Sequence, residues 1–406
     1  MADSMKVFCA VLVLFGAGLT EPVHSRTLTV EQDGSGDYTV IQDAVDAAES
    51  GDTILVGAGH YVEYTELPTA DLCVWLDGTK NLTLIGAGSD LTIIGPIEYT
   101  PHAGSAGIAC WPGDVSITVQ GVRVVNHDLV GLDFNNVDAS LVDSVVERCE
   151  IGYIVGGDIE SVYIDSCQFV NGPNLGNSIA LTVDAPSVRV QNTLVQSYQG
   201  GFNFDCPGST DVHVVNCRFD ADPVADNFGL VGIGFTLGGG GTVEGCYFTG
   251  WRNYGFVVDD AGTVVFRDNV IEGCRGTGIG LEGCDDLTVE NNVVSNCSPC
   301  VFIGESNDHA TIRGNHFLRD SVGGGASGLF IDTPSYCPWG PFYFDFSNNY
   351  WGTTDTDLVS TYIVDGYDDE DVWFYVDFLP LAEGPVRTEF HSWSSVKGLF
   401  EGGGEE

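Results

Sequence analysis

From Val119 onward the chain repeats one short pattern: an apolar residue, a polar one, a small or Asn-type pair, then another apolar residue. It occurs as VQGVRV, LVDSVV, IDSCQF, VQNTLV, VVNCRF, VEGCYF, FRDNVI, VENNVV, IRGNHF and FSNNYW. The first residues are Val119, Leu141, Ile164, Val190, Val214, Val243, Phe266, Val289, Ile312 and Phe346, spaced by 22, 23, 26, 24, 29, 23, 23, 23 and 34 positions. A period near 23 with insertions in some circuits marks a solenoid. A second pattern, glycine followed by alternating apolar residues, occurs as GLDF, GFNF, GIGF, GFVV, GIGL and GLFI. Period-two alternation means strand, and the glycines are expected at corners that need unusual backbone angles. Two or three short strands per circuit predict an all-β fold, a single-stranded parallel β-helix of ten or more turns. Ten turns at about 4.8 Å would make a rod of roughly 50 Å. Propeller blades need four antiparallel strands and leucine-rich repeats a leucine frame, and the pattern contains neither.

The register predicts vertical files of side chains. Three residues after the first position stand Cys167, Thr193, Cys217, Cys246, Asn269, Asn292, Asn315 and Asn349. They are expected to stack at an inside corner, the asparagines bonding one another and the turn backbone. Eight positions after it stand Cys149, Cys274 and Cys297, a second file of compact buried groups. Parallel Cβ vectors on stacked turns suit a disulfide poorly, so free thiols are expected. One position after it, Glu244, Arg267, Glu290 and Arg313 alternate in sign, which reads as an outer charge column rather than a catalytic set.

A parallel β-helix exposes strand edges at both ends, and these need covers. Thr39 is expected to cap a helix with Ile41, Ala44, Val45 and Ala48 on one face, ending near Gly51. The organisation that follows is a secretory signal peptide at 1–25, a β-helix domain at 26–383 with its helical cap at 39–50, and a C-terminal capping segment and tail at 384–406. In that last segment Trp393, Val396 and Phe400 fall at helix-like spacing. The signal reading rests on Lys6, the apolar run Val7 to Phe15, which is too short to span a bilayer, and the small-residue site at Val23-His24-Ser25. A secreted or periplasmic, monomeric protein is expected.

Composition narrows the partners. The formal net charge is -44 and there are three lysines, Lys6, Lys80 and Lys397. Such acidity excludes nucleic acid and anionic membranes as partners, and permits cations. With 43% hydrophobic and 11% aromatic residues the chain is not of the disordered class.

The whole chain resembles the right-handed parallel β-helix, or pectin-lyase-like, superfamily. VEQDGSGDYTVIQDAVDAA and GHYVE (Gly59 to Glu63) are similar to the opening of pectin methylesterases, and NNYWGTTDT (Asn348 to Thr356) resembles secreted bacterial β-helix repeat proteins. The esterase resemblance implies a Q-D-T acid, a D-F-[IV]-F-G nucleophile and an L-G-R-P-W arginine. The nearest echo is Gln191 to Leu194, where Asn192 replaces the acid; asparagine can neither protonate a leaving group nor attack a carbonyl. The opening therefore announces the scaffold and not the esterase chemistry. Related periplasmic β-helix proteins deliver copper, but Met occurs here only at 1 and 5 and the histidines lack ligand spacing, so copper delivery is not expected.

Other members of the superfamily are lyases that use calcium, or hydrolases that use aspartates on adjacent turns. The matching positions here are four residues after the glycines: Asp205, Thr236, Asp259, Glu282, Gly304 and Asp332, with Asp260, Asp285, Asp286 and Glu305 nearby. Asp259 and Glu282 would lie one turn apart, their carboxylates within about 5–6 Å. Such a pair is the candidate catalytic site; with Asp285 it is a candidate calcium site, and a solvated acidic rim is the plainer reading. Phe302 and Phe330 are read as an outward aromatic platform for a sugar ring, with Asp205 and Asp260 beside it. Tyr362 to Phe378 is expected to cover that face. The leading expectation is a non-catalytic protein presenting an elongated surface to a polysaccharide or cell-surface glycan; the alternative is a polysaccharide lyase or glycoside hydrolase acting through Asp259 and Glu282.

Overall fold

A computed structural model describes residues 25–66, 71–100, 104–111, 113–157, 159–171, 178–205, 211–221, 231–236, 239–304, 310–318, 331–332, 341–368 and 372–384, without the side chains of 66, 205, 285 and 332. The chain winds into a parallel β-solenoid with two sheets, one of 24 strands and one of 11. The smaller sheet takes one strand from each circuit, so eleven circuits are stacked. The larger sheet bends around the remaining walls: Tyr254–Arg267 and Thr277–Glu290 each run continuously from one wall into the next. Among the described residues the pairings are parallel except where Thr65–Glu66 folds back on Asp71–Asp77.

The expected register is the observed one. Val119, Leu141, Ile164, Val190, Val214, Val243, Phe266, Val289 and Ile312 pair successively along one wall, and all are buried. Two residues after each, and after Phe346, the backbone turns through positive φ, at Gly121, Asp143, Ser166, Asn192, Asn216, Gly245, Asp268, Asn291, Gly314 and Asn348. That conformation crowds Cβ, and Gly, Asn and Asp tolerate it best, which explains the Asn-type pair in the motif and accounts for Asn192 without catalysis. Inside the bore, ring contacts run from Phe169 through Phe202, Phe219 and Phe248 to Phe266. The ten described cysteines are buried and unbridged. Burial pushes the Cys149 and Cys167 thiols up to about 12, so they stay protonated.

Three expectations need correction. Gly131, Gly152, Gly201, Gly232, Gly255 and Gly278 do not adopt left-handed angles; a Cβ on any of them would come within 2.0–3.0 Å of a carbonyl oxygen in the following circuit. Close backbone approach, not an unusual φ, demands glycine there. The helix spans Ile41–Ala47 and buries Ile41, Ala44 and Val45, but Thr39 does not cap it: Val40 holds that position without a side-chain bond. Gln42 secures it instead, accepting from Trp75 N–H at 2.8 Å and donating to Trp75 O at 3.1 Å. Tyr362 to Phe378 is not a cover but the end of the winding: Ile363 bridges Ile331, and Phe374–Asp377 pairs with Phe342–Asp345. A short helix, Thr356–Ser360, capped by Asp355, precedes it. Trp393, Val396 and Phe400 lie outside the described residues.

Candidate functional site

The acidic file forms on the wall of the larger sheet. Asp205 pairs with Thr236, Thr236 with Asp259, and Asp259 with Glu282. Gly304 follows, since a Cβ there would stand 2.8 Å from Glu282 Cγ. Period-two alternation turns Thr236, Asp259 and Glu282 outward while Val258 and Leu281 point into the core. Asp332 leaves the file. Val301 pairs with Ile331, which aligns Asp332 with Phe302.

Asp259 is exposed and Glu282 half-buried. The Tyr254 hydroxyl donates to Glu282 Oε1 at 3.1 Å. Tyr254 can lie across the next circuit because residue 280 is glycine; a Cβ there would stand 2.6 Å from its ring. Burial first, then the Glu282 charge, push the Tyr254 hydroxyl up to about 12, so it remains a donor. Asp260 turns the corner at φ 51, with its carboxylate 2.7 Å from where a Cβ on Gly283 would be. The structure thus brings Asp259, Asp260 and Glu282 to one edge. Asp285 is on the same strand as Glu282, but its side chain, like that of Asp205, is not described. Among the described residues no group of three or more His, Cys, Asp or Glu side chains converges.

Phe302 faces outward and is half-buried, between Gly280 and Asp332 on the adjacent circuits; Phe330 lies outside the described residues. The aromatic surface that is described stands farther along. Alternation in Phe342–Asp345 and Phe374–Asp377 buries Phe344, Phe374 and Val376 and turns Tyr343, Asp345, Tyr375 and Asp377 outward. Tyr343 and Tyr375 are register partners with rings stacked at 5.0 Å and 18°. Tyr367 meets Tyr375 edge-on at 4.9 Å and donates its hydroxyl to Asp377 Oδ1 at 3.2 Å. Tyr343 and Tyr367 keep 63% and 64% of their surface exposed. Exposed rings offer apolar faces, and Asp345 and Asp377 offer acceptors beside them, a combination suited to a polyhydroxylated ligand. Sequence reading passed over this patch, although the alternation in PFYFDF and WFYVDF carried the signal.

Residues 117–332 match the family model of periplasmic copper-binding proteins (NosD). No curated protein matches the sequence. Solved structures of similar fold include the A-module of the mannuronan C-5 epimerase AlgE4 from Azotobacter vinelandii, at 13% identity over 84% of this chain and 94% of that one, with a TM-score of 0.47. Pectin methylesterase from carrot matches at 15% identity over 77% and 90%, TM-score 0.38. The catalytic unit of an α-1,3-glucanase from Streptomyces thermodiastaticus matches at 14% over 90% and 71%, TM-score 0.45. No side-chain role carries over from these likenesses. No helix among the described residues is long and apolar enough to cross a membrane.

Proposed function

The chain belongs to the periplasmic copper-binding protein (NosD) family, and from that position we propose that it is an exported, non-catalytic β-helix protein whose outer face recognises glycans. One observation carries the reading: the stacked Tyr343 and Tyr375 with Tyr367 at their edge and Asp345 and Asp377 alongside. Rigid aromatic anchors cost little conformational entropy on binding, and carboxylates accept sugar hydroxyls without a counter-cation. The net charge of -44 directs the reading toward neutral or basic glycans, since acidic ones would be repelled.

The metal in the family's name is a separate matter. No cluster of three ligand side chains converges among the described residues, and methionine occurs only at positions 1 and 5, so a site rich in thioethers or in several imidazoles does not fit this chain.

The test is a panel of neutral, basic and acidic oligosaccharides, with binding and turnover both read. Tyr343→Ala combined with Tyr375→Ala is expected to weaken binding of the captured glycan by about tenfold or more, some 1.4 kcal/mol, while the fold is retained. Binding indifferent to both substitutions would overturn the reading. Cleavage of any glycan that disappears in Glu282→Gln would replace recognition with catalysis at the Asp259/Glu282 edge.

A further inference from the structure

At the end of the winding, the charge beside the tyrosines is unbalanced. Asp345 and Asp377 are register partners on adjacent circuits, and both are exposed. Like charges directly opposite one another across strands are destabilising. At other places on the surface carboxylates meet cations: Arg267 stands against Glu244, Arg313 against Glu290, and Arg123 bridges Asp90 and Glu147. No cation among the described residues answers Asp345 or Asp377. The sequence from 341 to 384 contains ten Asp and Glu residues and no Lys, Arg or His. Each carboxylate has one oxygen engaged, Asp345 Oδ1 by Ser347 N–H at 2.9 Å and Asp377 Oδ1 by the Tyr367 hydroxyl at 3.2 Å. Among the described residues no group donates to either Oδ2.

The rings around this pair are held in place. The buried carboxylate of Asp365 accepts from Tyr367 N–H at 2.9 Å and from Val376 N–H at 2.8 Å, which ties the Tyr367 turn to the strand of Tyr375. Gly366 lets that turn lie against the ring: its N–H donates to Phe374 O at 2.6 Å, and a Cβ on it would stand 2.7 Å from Tyr375 Cζ. Two ring planes therefore meet at 75° beside Asp377, and Tyr343 continues one of them onto the adjacent circuit. Trp373, 38% exposed, stands two residues before Tyr375. Ring faces attract cations through their quadrupole, and a carboxylate bonds an ammonium more strongly than a hydroxyl. A neutral sugar would use the rings and leave the two carboxylates in repulsion. A simple cation would use the carboxylates and leave the rings wet. An amino sugar satisfies both.

We propose that this corner binds glycans carrying protonated amines, with the apolar face of the sugar on Tyr343 and Tyr375 and its ammonium between Asp345 and Asp377. Strands about 4.8 Å apart set the two carboxylates at a span that one ammonium bridges with N–H···O bonds of about 2.8 Å. Asp365 and Gly366 are positioning residues, since they act through Tyr367 and Tyr375. The assignment rests on the glycan reading above and narrows it to the basic class.

The experiment is a calorimetric titration of the full chain with a glucosamine tetramer and with the same tetramer fully N-acetylated, which keeps the ring faces and removes the charge. The amine form is expected to bind at least tenfold tighter at low salt, and the advantage should shrink as salt is raised. Asp345→Asn combined with Asp377→Asn keeps both Oδ1 acceptors and is expected to erase the difference by weakening the amine form alone. Tyr343→Ala combined with Tyr375→Ala is expected to weaken both forms. Glu244→Gln, which removes a carboxylate of the outer charge column, should weaken neither. Absent binding of the amine form, or equal affinity for the two tetramers, would overturn the charge assignment. If equal affinities still fall with the tyrosine pair, the glycan reading stands without it; if neither tetramer responds to the tyrosine pair, both readings fall. A tetralysine peptide bound as tightly as the glucosamine tetramer would also overturn the assignment, because charge alone would then account for binding.

Discussion

One inside corner of the solenoid is filled by two chemistries. Asn269, Asn292, Asn315 and Asn349 occupy its later circuits, and Cys167, Thr193, Cys217 and Cys246 its earlier ones; all are buried. Both stretches face the same demand, a main-chain carbonyl from the preceding circuit aimed into the corner. The asparagine Nδ2 groups donate to the carbonyls of Val243, Phe266, Val289 and Ile312 at 2.7–3.0 Å. The thiols of Cys167, Cys217 and Cys246 reach the equivalent carbonyls of Leu141, Val190 and Val214 at 3.4–3.8 Å. The amides also serve the main-chain donor at every step. Their Oδ1 atoms accept from the N–H of Cys246, Asn269, Asn292 and Asn315 at 2.7–2.9 Å, and from the neighbouring amide at 3.0–3.1 Å. The thiol counterpart is one bond, Cys217 N–H to Cys246 Sγ at 3.4 Å. Sulfur accepts weakly but packs as a small hydrophobe. The difference teaches that the corner prescribes a short donor, while the strength of the ladder depends on whether that donor can also accept.

The largest effect is expected at the amide half. Asn292→Ala removes the amide's bond to the Phe266 carbonyl and leaves the Asn269 N–H without its Oδ1 acceptor in a closed corner, and is expected to cost about 3–4 kcal/mol of stability in chemical denaturation. Cys217→Ala removes longer, weaker bonds and a smaller volume; about 1–2 kcal/mol is expected by the same measurement. Equal losses from the two substitutions would break the distinction between the halves. Smallest is the outer charge column, where Glu244, Arg267, Glu290 and Arg313 pair in sequence and Arg267 meets Glu244 at 2.8 Å. Glu244→Gln is expected to cost less than about 1 kcal/mol, and raising the salt concentration should erase the difference. A larger, salt-insensitive loss would mean that the outer column holds the circuits together as the inner corner does.

Much of this was legible because a solenoid repeats its constraints. The spacing of Val119 to Ile312 was enough to align both files, the charge column and the Asp259/Glu282 pair before any coordinate was known. Legibility failed where a residue's reason lay in another circuit. The repeated glycines suggested special angles, yet what they accommodate is a carbonyl one turn away. Asp332 was assigned by counting through an insertion that shifts the register. Tyr343 and Tyr375, 32 positions apart, stack between circuits that no repeated spacing links, and His127 meets a thiol 54 residues distant. Spacing within a motif cannot show such meetings.

What the amino-acid sequence determines by itself is the winding: alternation chooses which side chains go inward, and left-handed turn residues recur where each circuit must bend, both of them local and repeated. What only tertiary structure decides is which circuit's groups touch. Neighbouring strands lie about 4.8 Å apart, so contacts across circuits depend on insertion lengths and on a missing Cβ in the next turn. The exposed tyrosine pair does not exist until those circuits are stacked.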